Sequence, residues 1–191
     1  MELFKITRLK IGKAILRKQM ARAKRKTHYT NINKVRNIGI VWDASGIDDF
    51  ACLSRFFQKM HENKTDVKIM GYFPGKYLPN QYTAVRYLTV IKKDELNLFY
   101  RPVSPETNTF VSNRFDVLID INFKKLLPLQ YISSLSNAGF KVGLFDTEYG
   151  NTPFDLMMEL KSPVNVEDYL NQVIYYLEMI NSGIVKKVEK T

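Results

Sequence analysis

Three aspartates each lie at the end of a short apolar run of the kind that forms a buried strand. They are Asp43, Asp120 and Asp146. Ligands of open parallel sheets bind outside the carboxyl ends of the strands, so we expect these carboxylates to converge on one crevice if the strands are neighbours. Such a cluster could hold Mg²⁺ or hydrogen-bond a ribose. The polar residues expected beside it are Ser45, Gly46, Asn122 and Lys124.

The aspartates also have a simpler interpretation, because an aspartate after a strand is a common loop or cap residue. The turn Asp43-Ala-Ser-Gly46 has one glycine where a dinucleotide fingerprint has three, and it lacks the Gly-Lys-Ser/Thr of a P-loop. It therefore predicts a plain tight turn. A ligand crevice and a set of structural caps both stay open.

The chain offers no nucleophile and base at a diagnostic spacing. His28 and His61 have no partner of that kind, and two histidines with one cysteine do not make a zinc site. The single Cys52 excludes an internal disulfide and suits a reducing cytoplasm, where we expect the protein to be. The sequence therefore identifies no catalytic residue, metal or cofactor, and it favours a protein that is not an enzyme.

Positive charge is concentrated at the N-terminus. Residues 1–36 contain twelve Lys and Arg and one acidic residue, Glu2, whereas the other 155 residues contain seventeen basic and eighteen acidic residues. A near-neutral domain therefore carries a cationic arm, which predicts an anionic partner for the arm. We expect RNA, which the ribosome could supply, and phosphate contacts. The residues expected to make them are Lys13, Arg17, Lys18, Arg22, Lys24, Arg25 and Lys26.

Other roles for the arm stay open. It could be a solvated basic helix docked on its own domain, which we weigh equally with RNA binding. An anionic membrane surface is disfavoured because an interfacial helix needs one broad apolar side. Here Phe4 and Ile11 fall on one side of the helix, while Leu9 and Leu16 fall on roughly the opposite side. A mitochondrial-type presequence is a minor option.

Aromatic and basic residues alternate between Tyr72 and Arg101. Rings beside cations are what readers of single-stranded RNA use. The pattern equally fits rings that fill the faces of strands. We favour that second interpretation because the chain has no ribonucleoprotein-type motif.

The elements that must position these residues alternate along the chain. Strands are predicted over 37–43, 66–73, 85–91, 96–100, 115–121, 141–146 and 154–160. A basic helix is predicted over 3–26, and further helices are expected from Asp48, from Pro128 to Gly139, and from Asn165 to Gly183.

Strands that alternate with amphipathic helices imply parallel pairing and right-handed crossovers. We therefore expect a three-layer α/β domain of Rossmann-like or flavodoxin-like type over residues 37–183, followed by a tail over 184–191. Residues 1–36 form the arm and linker, and we predict that the domain folds without them. No apolar run is long enough to span a bilayer, and no signal peptide is recognisable.

The segment Phe115-Asp-Val-Leu-Ile-Asp-Ile-Asn122, with Leu127-Pro-Leu-Gln-Tyr-Ile132 and Ala138-Gly-Phe-Lys-Val-Gly143, resembles a small bacterial family known only as a domain of unknown function. The resemblance covers residues 37–180 and implies no activity and no site residues. The same stretch is distantly similar to one half of a two-domain glycosyltransferase of the heptosyltransferase kind.

These observations give three functional hypotheses. The first is a non-catalytic accessory protein that binds RNA through the arm. The second is an enzyme that binds a nucleotide or sugar nucleotide in the aspartate-lined crevice. The third is a protein of the membrane surface.

Overall fold

A six-stranded sheet forms the centre of the molecule. The computed structural model describes residues 2–28, 31–46, 49–145, 152–160 and 165–180. The strands are β1 (Asn37–Asp43), β2 (Asp66–Phe73), β3 (Leu88–Lys92), β4 (Val117–Ile121), β5 (Phe140–Leu144) and β6 (Leu156–Met158). The helices are α1 (Glu2–Arg22), α2 (Asp49–Glu62), α3 (Asn80–Thr83), α4 (Pro105–Ser112), α5 (Leu127–Leu135) and α6 (Val166–Met179).

All six strands run parallel, in the order β3-β2-β1-β4-β5-β6. The chain builds outward from β1 to one edge and then returns to build outward from β4 to the other. The order therefore reverses between β1 and β4, where Val41 lies opposite Asp120 in register. This is the Rossmann-like arrangement, and it confirms the predicted fold class.

Helices cover both faces of the sheet, as a parallel sheet requires. Side chains of β1 alternate between the faces. Ile38, Ile40 and Trp42 pack in one cluster with α2 and α6, whereas Val41 packs in another with residues of α4 and α5. This alternation places Asp43 and Asp120 on the face that carries α5.

Helix α1 is docked on α5. Leu16 is buried in one cluster with Leu127 and Tyr131, and the Tyr131 hydroxyl donates a hydrogen bond of 2.8 Å to the Gly12 carbonyl. Gly12 permits this approach, because a Cβ there would lie 2.5 Å from the carbonyl oxygen of Phe99. One side of α1 is therefore committed to packing against the domain.

Two arginines fix the ends of this basic segment. The Arg8 Nε donates to the Leu98 carbonyl at 2.6 Å, and the Arg8 guanidinium lies 4.7 Å from the centre of the Tyr100 ring. Arg25 forms an ion pair of 2.7 Å with Asp155 and also donates to the carbonyls of Ala138 and Gly139. The arm is thus a docked helix in the intact chain. That residues 37–183 fold without it stays a prediction.

The region after β3 differs from the sequence-based prediction. Residues 96–100 do not form a strand; Leu96 makes only an isolated bridge to Pro102, after a short 3₁₀ helix at Lys93–Glu95. The cause is Asn97, whose side chain accepts hydrogen bonds from the N–H groups of Phe99 and Arg101 and closes a turn. Helix α4 was not predicted, although Ser104 caps it and Pro105 opens it.

Several predicted ends also shift. Strand β3 begins at Leu88, and α5 ends at Leu135 rather than at Gly139. Gly139 instead lets the chain pass close to the carbonyl of His28, which a Cβ would meet at 2.9 Å. Asp48 and Gly183, predicted to begin one helix and end another, lie outside the described residues.

We expect Gly12→Ala to lower the free energy of unfolding by about 1 to 3 kcal/mol, because the added methyl group collides with the docking surface. Helix propensity alone predicts the opposite sign, a gain of about 1 kcal/mol. Urea denaturation measures the difference. Ala14→Gly on the exposed side of α1 is the control, with an expected loss of about 1 kcal/mol from propensity. A Gly12→Ala variant more stable than the parent would contradict the docked position of α1.

Candidate functional site

The loops after β1 and β4 meet where the strand order reverses. The Asp43 carboxylate, whose side chain is 8% exposed, forms an ion pair of 2.9 Å with Lys124. Its other oxygen accepts hydrogen bonds from the Ser45 N–H at 3.1 Å and from the Ser45 hydroxyl at 2.6 Å. The Lys124 ammonium also donates to the Ser45 hydroxyl at 3.0 Å. These three residues form a closed polar group, here named the Asp43 cluster.

Two further predicted residues lie in the loops that carry the Asp43 cluster. The Asn122 side chain accepts from the Leu126 N–H at 2.7 Å and donates to the Leu126 carbonyl at 3.0 Å, so it closes the loop before α5. Gly46 lies close to the Asp49 carboxylate, which a Cβ would meet at 2.7 Å. Asn122 therefore fixes the backbone of the loop that carries Lys124. Gly46 leaves room for the Asp49 carboxylate beside the loop that carries Ser45.

Asp120 lies at the same edge of the sheet but binds different partners. One carboxylate oxygen accepts from the Asn122 N–H at 2.7 Å, and the other accepts from the Ser133 hydroxyl on α5. Asp43 and Asp120 therefore lie on adjacent strands, but their carboxylates share no hydrogen-bond partner among the contacts described above. Asp146, the third predicted carboxylate, lies outside the described residues.

A buried lysine lies near Asp120. The Lys141 side chain, on β5, donates to the carbonyls of Ser133 and Ser134 at 2.8 and 3.0 Å, at the C-terminal end of α5. Burial lowers the pKa of Lys141 to about 7, and the Arg25 charge contributes. Burial also raises the pKa of Asp120 to about 6, against the hydrogen bond from Ser133. Both shifted pKa values lie near neutral pH, because burial opposes the charged form of each group.

Sequence reasoning missed Lys141 and Ser133. The available signal was the position of Lys141 inside the buried strand pattern of β5, because a lysine is rarely buried without a specific partner. Ser133 carried no signal, since a serine on a helix is ordinary. Its role follows only from the way α5 crosses β4.

A cleft of about 850 Å³ lies beside the contact between α1 and α5 and is lined by both helices and by residues 152–153. Lys13, Arg17 and Lys24 line the α1 side, while Lys141 lies at the base. A recess of about 100 Å³ continues inward to Asp120 and Ser133. The larger cleft and the recess share six lining residues, so they adjoin each other, and together they are here named the α1–α5 cleft. The shared residues are Leu16, Lys125, Gln130, Ser134, Thr152 and Pro153.

Six of the seven cations predicted to bind RNA are exposed: Lys13, Arg17, Lys18, Arg22, Lys24 and Lys26. In the part of the chain that the structure describes, none of these six forms an ion pair with a carboxylate. The seventh, Arg25, is half-buried and holds Asp155. Arg25 therefore anchors the segment, and the other six present free charge.

Most aromatic rings of the segment from Tyr72 to Arg101 pack against other residues of the domain. Tyr72 and Tyr82 are buried, and Tyr87 stacks on Phe57 with ring centres 3.9 Å apart. Tyr100 lies under Arg8, whereas Tyr77 is exposed. This placement fits the interpretation that the rings pack the domain.

The described residues contain neither a cluster of metal ligands nor a membrane-spanning helix. Among the described residues, no group of three or more His, Cys, Asp or Glu side chains lies close enough together to hold a metal ion. No helix in the described ranges combines the length and the apolar character needed to cross a membrane.

Comparison with known proteins identifies a family. Residues 8–180 match the model of a family of unknown function, DUF6913, and the chain belongs to this family. The match includes α1 from Arg8 onward, so most of the docked helix belongs to the shared domain. No curated protein and no solved structure matches the chain.

Asp120→Asn tests the burial of the carboxyl group through the pH dependence of stability. The folded-state pKa of Asp120, about 6, lies above its ordinary value of 3.8, so between these pH values the folded chain binds more protons than the unfolded chain. The stability of the parent should therefore fall, relative to Asp120→Asn, by up to about 3 kcal/mol as pH rises from 4 to 6. Above pH 7 the difference varies further, because the Asp120 charge raises the pKa of Lys141. Urea denaturation at pH 4, 5, 6 and 7 measures it, and a difference independent of pH would contradict the assignment.

Proposed function

We propose that this member of the DUF6913 family is a non-catalytic protein that binds structured RNA, such as that of the ribosome, through the exposed cations of α1 and the segment after it. One observation carries the proposal. Six exposed Lys and Arg side chains without acidic partners in the described chain sit on a segment that is fixed to an otherwise near-neutral domain.

The geometry of α1 supports contacts outside the α1–α5 cleft. At 100° per residue, Lys18 lies roughly opposite the buried Leu16, and Arg22 lies on a flank away from Lys13 and Arg17. These two residues point to solvent, and Lys26 is exposed beyond the helix end. Because α1 is already docked, binding does not require the helix itself to become ordered, which reduces the entropic cost of association.

The salt dependence of binding tests this proposal. Four to six phosphate contacts imply a slope of about −3 to −5 in log K against log [salt]. Changing Lys18, Arg22 and Lys26 together to Gln should flatten the slope by roughly 2 to 3 and weaken binding to all RNA sequences alike. Fluorescence anisotropy with a structured RNA and with a single strand measures both quantities.

The matched control removes equal charge elsewhere. Lys59, Lys68 and Lys93 are exposed and lie outside α1 and the segment after it. Changing these three to Gln should leave the slope within about 0.5 of the parent. If the intact protein binds no RNA at low salt but sediments with anionic vesicles, the RNA proposal is wrong and the partner of α1 is the membrane surface. Equal effects of the two triple variants would show a net-charge effect and would reject the α1 site.

The second candidate is a nucleotide- or sugar-nucleotide-dependent enzyme. The observation that favours it is the location of Asp43, Ser45 and Lys124 at the point of the parallel sheet where ligands usually bind. In this function Lys124 would leave Asp43 for a ligand phosphate, and the freed carboxylate would hold Mg²⁺ or a ribose hydroxyl.

Thermal unfolding with nucleotides, sugar nucleotides and divalent ions tests the second candidate. A ligand at a hundred times its Kd adds about 2.7 kcal/mol, which corresponds to roughly 5 to 10 °C for a chain of this size. Asp43→Asn should remove the shift, whereas Asp66→Asn, a change at the exposed start of β2, should keep it. No shift with the intact protein would leave Asp43 as a loop cap.

A further inference from the structure

The two ends of the α1–α5 cleft differ in charge. At the outer end, Lys13 and Arg17 are one helical turn apart on the same side of α1. At the inner end, the recess reaches Asp120 and Ser133. A ligand of this cleft must therefore meet cations first and a buried carboxylate last.

The outer end is built to meet an anion. Like charges one turn apart on a helix destabilise it, and among the described residues neither Lys13 nor Arg17 has a carboxylate partner. Arg25 and Lys141 also line the cleft; Asp155 pairs with Arg25, and the repulsion between Arg25 and Lys141 contributes to the lowered pKa of Lys141. An anion held between Lys13 and Arg17 would relieve the repulsion between these two side chains, and the positive charge on this side of the cleft concentrates anions.

The inner recess selects a different chemistry. The Asp120 carboxylate, which Ser133 and the Asn122 N–H already bind, disfavours an anionic group and can accept further hydrogen bonds from hydroxyls. Lys125 also lines the recess. Asn122 lies beside it, and the rings of Phe123 and Phe154 supply apolar walls against which a sugar or base can pack. The recess of about 100 Å³ has room for a small polar group rather than for a length of polymer.

We propose that the α1–α5 cleft binds the phosphomonoester of a sugar or nucleoside, with the phosphate between Lys13 and Arg17 and the hydroxyl-bearing part facing Asp120 in the recess. This site goes beyond the proposed RNA contacts, because it needs a small ligand and the interior of the cleft. The phosphomonoester could belong to a free metabolite or to the 5′ end of an RNA.

Calorimetric titration of the intact protein tests the site. The probes are ribose 5-phosphate, the four nucleoside 5′-monophosphates, inorganic phosphate and ribose, at low salt. A phosphomonoester should bind more tightly than inorganic phosphate, and ribose should show no binding. If no phosphomonoester binds at about 10 mM, or if inorganic phosphate binds at least as tightly as all of them, the proposal is wrong.

Paired variants on one helix locate the phosphate. Lys13→Gln with Arg17→Gln should weaken phosphomonoester binding at least about tenfold, the cost of losing charged hydrogen bonds. Lys18→Gln with Arg22→Gln removes the same charge from residues that do not line the cleft, and it should change binding less than about twofold. Equal weakening by both pairs would show general charge attraction and overturn the site. Circular dichroism checks that α1 stays folded in each variant.

Asp120→Asn tests the orientation of the ligand. Loss of the buried charge should leave inorganic phosphate binding unchanged or tighter, while the preference for ribose 5-phosphate over inorganic phosphate disappears. An unchanged preference would place the hydroxyls elsewhere and overturn the inner half of the site. The titrations are repeated at pH 7 and 8, because Arg25, Asp155 and Asp120 all shift the pKa of Lys141. Comparison of the two pH values separates the loss of the Asp120 charge from a change in the protonation of Lys141.

Matched RNAs with a 5′-phosphate or a 5′-hydroxyl identify the source. The site belongs to an RNA end if the phosphorylated RNA binds more tightly than the hydroxyl RNA and the Lys13/Arg17 variant loses this preference. Equal binding of both RNAs, with ribose 5-phosphate still bound, assigns it to a free metabolite. The two proposals remain separable, since the variant of Lys18, Arg22 and Lys26 should lose RNA binding and keep ribose 5-phosphate.

Discussion

Both faces of a parallel sheet must be covered by other elements, and α5, which covers one face, is itself packed against α1. Only eleven residues connect β5 to β6, fewer than the dozen or more that a crossover with a helix usually needs. Helix α1, from the opposite end of the chain, packs beside α5 on this side of the molecule, and Arg25 ties it to Asp155 just before β6. The cleft over Lys141 is the space left between α1, α5 and residues 152–153.

Burial has opposite electrostatic consequences for the two ionisable groups near this space. It raises the pKa of Asp120 and lowers the pKa of Lys141, so it opposes the charged form of each. For Lys141 the unfolded chain binds more protons above pH 7, which makes stability rise with pH toward the ordinary lysine value. The sign for Asp120 is the reverse at acidic pH. Folding tolerates both costs because Ser133 and the end of α5 supply hydrogen bonds to each group.

The strands of the centre could be predicted from sequence because their signal is local. Residues of β1, β2, β4 and β5 are apolar runs that end at turn residues, and their alternation with helices implies parallel pairing. The strand predicted over Leu96 to Tyr100 was wrong because the same local apolar signal is present there without a strand. The Asn97 side chain turns the backbone in this segment. A side chain that competes for backbone hydrogen bonds overrides a short apolar pattern.

The candidate site was only partly accessible to sequence reasoning, because its geometry depends on long-range packing. The sequence placed Asp43 and Asp120 at one edge, which is correct, but it could not show that Asp120 turns toward Ser133. The sequence pattern also puts apolar residues on two sides of α1. Only the packing of α1 on α5 shows that Leu16 is buried and Phe4 is exposed. Hydrophobic periodicity reports how much of a helix can be buried, not which partner covers it.

The docked position of α1 changes what its charge can do. A disordered basic arm would pay for its ordering when it binds, and its cations would adapt to any phosphate surface. On a fixed helix, the same cations have fixed separations, so they favour ligands whose anionic groups match them. In the proposed sites, Gly12 and Leu16 would act on recognition through packing, because they hold Lys13 and Arg17 at the cleft and leave Lys18 facing solvent. A change that undocks α1 would keep its net charge and, under the proposals above, would lose the preference for ligands that match the fixed separations.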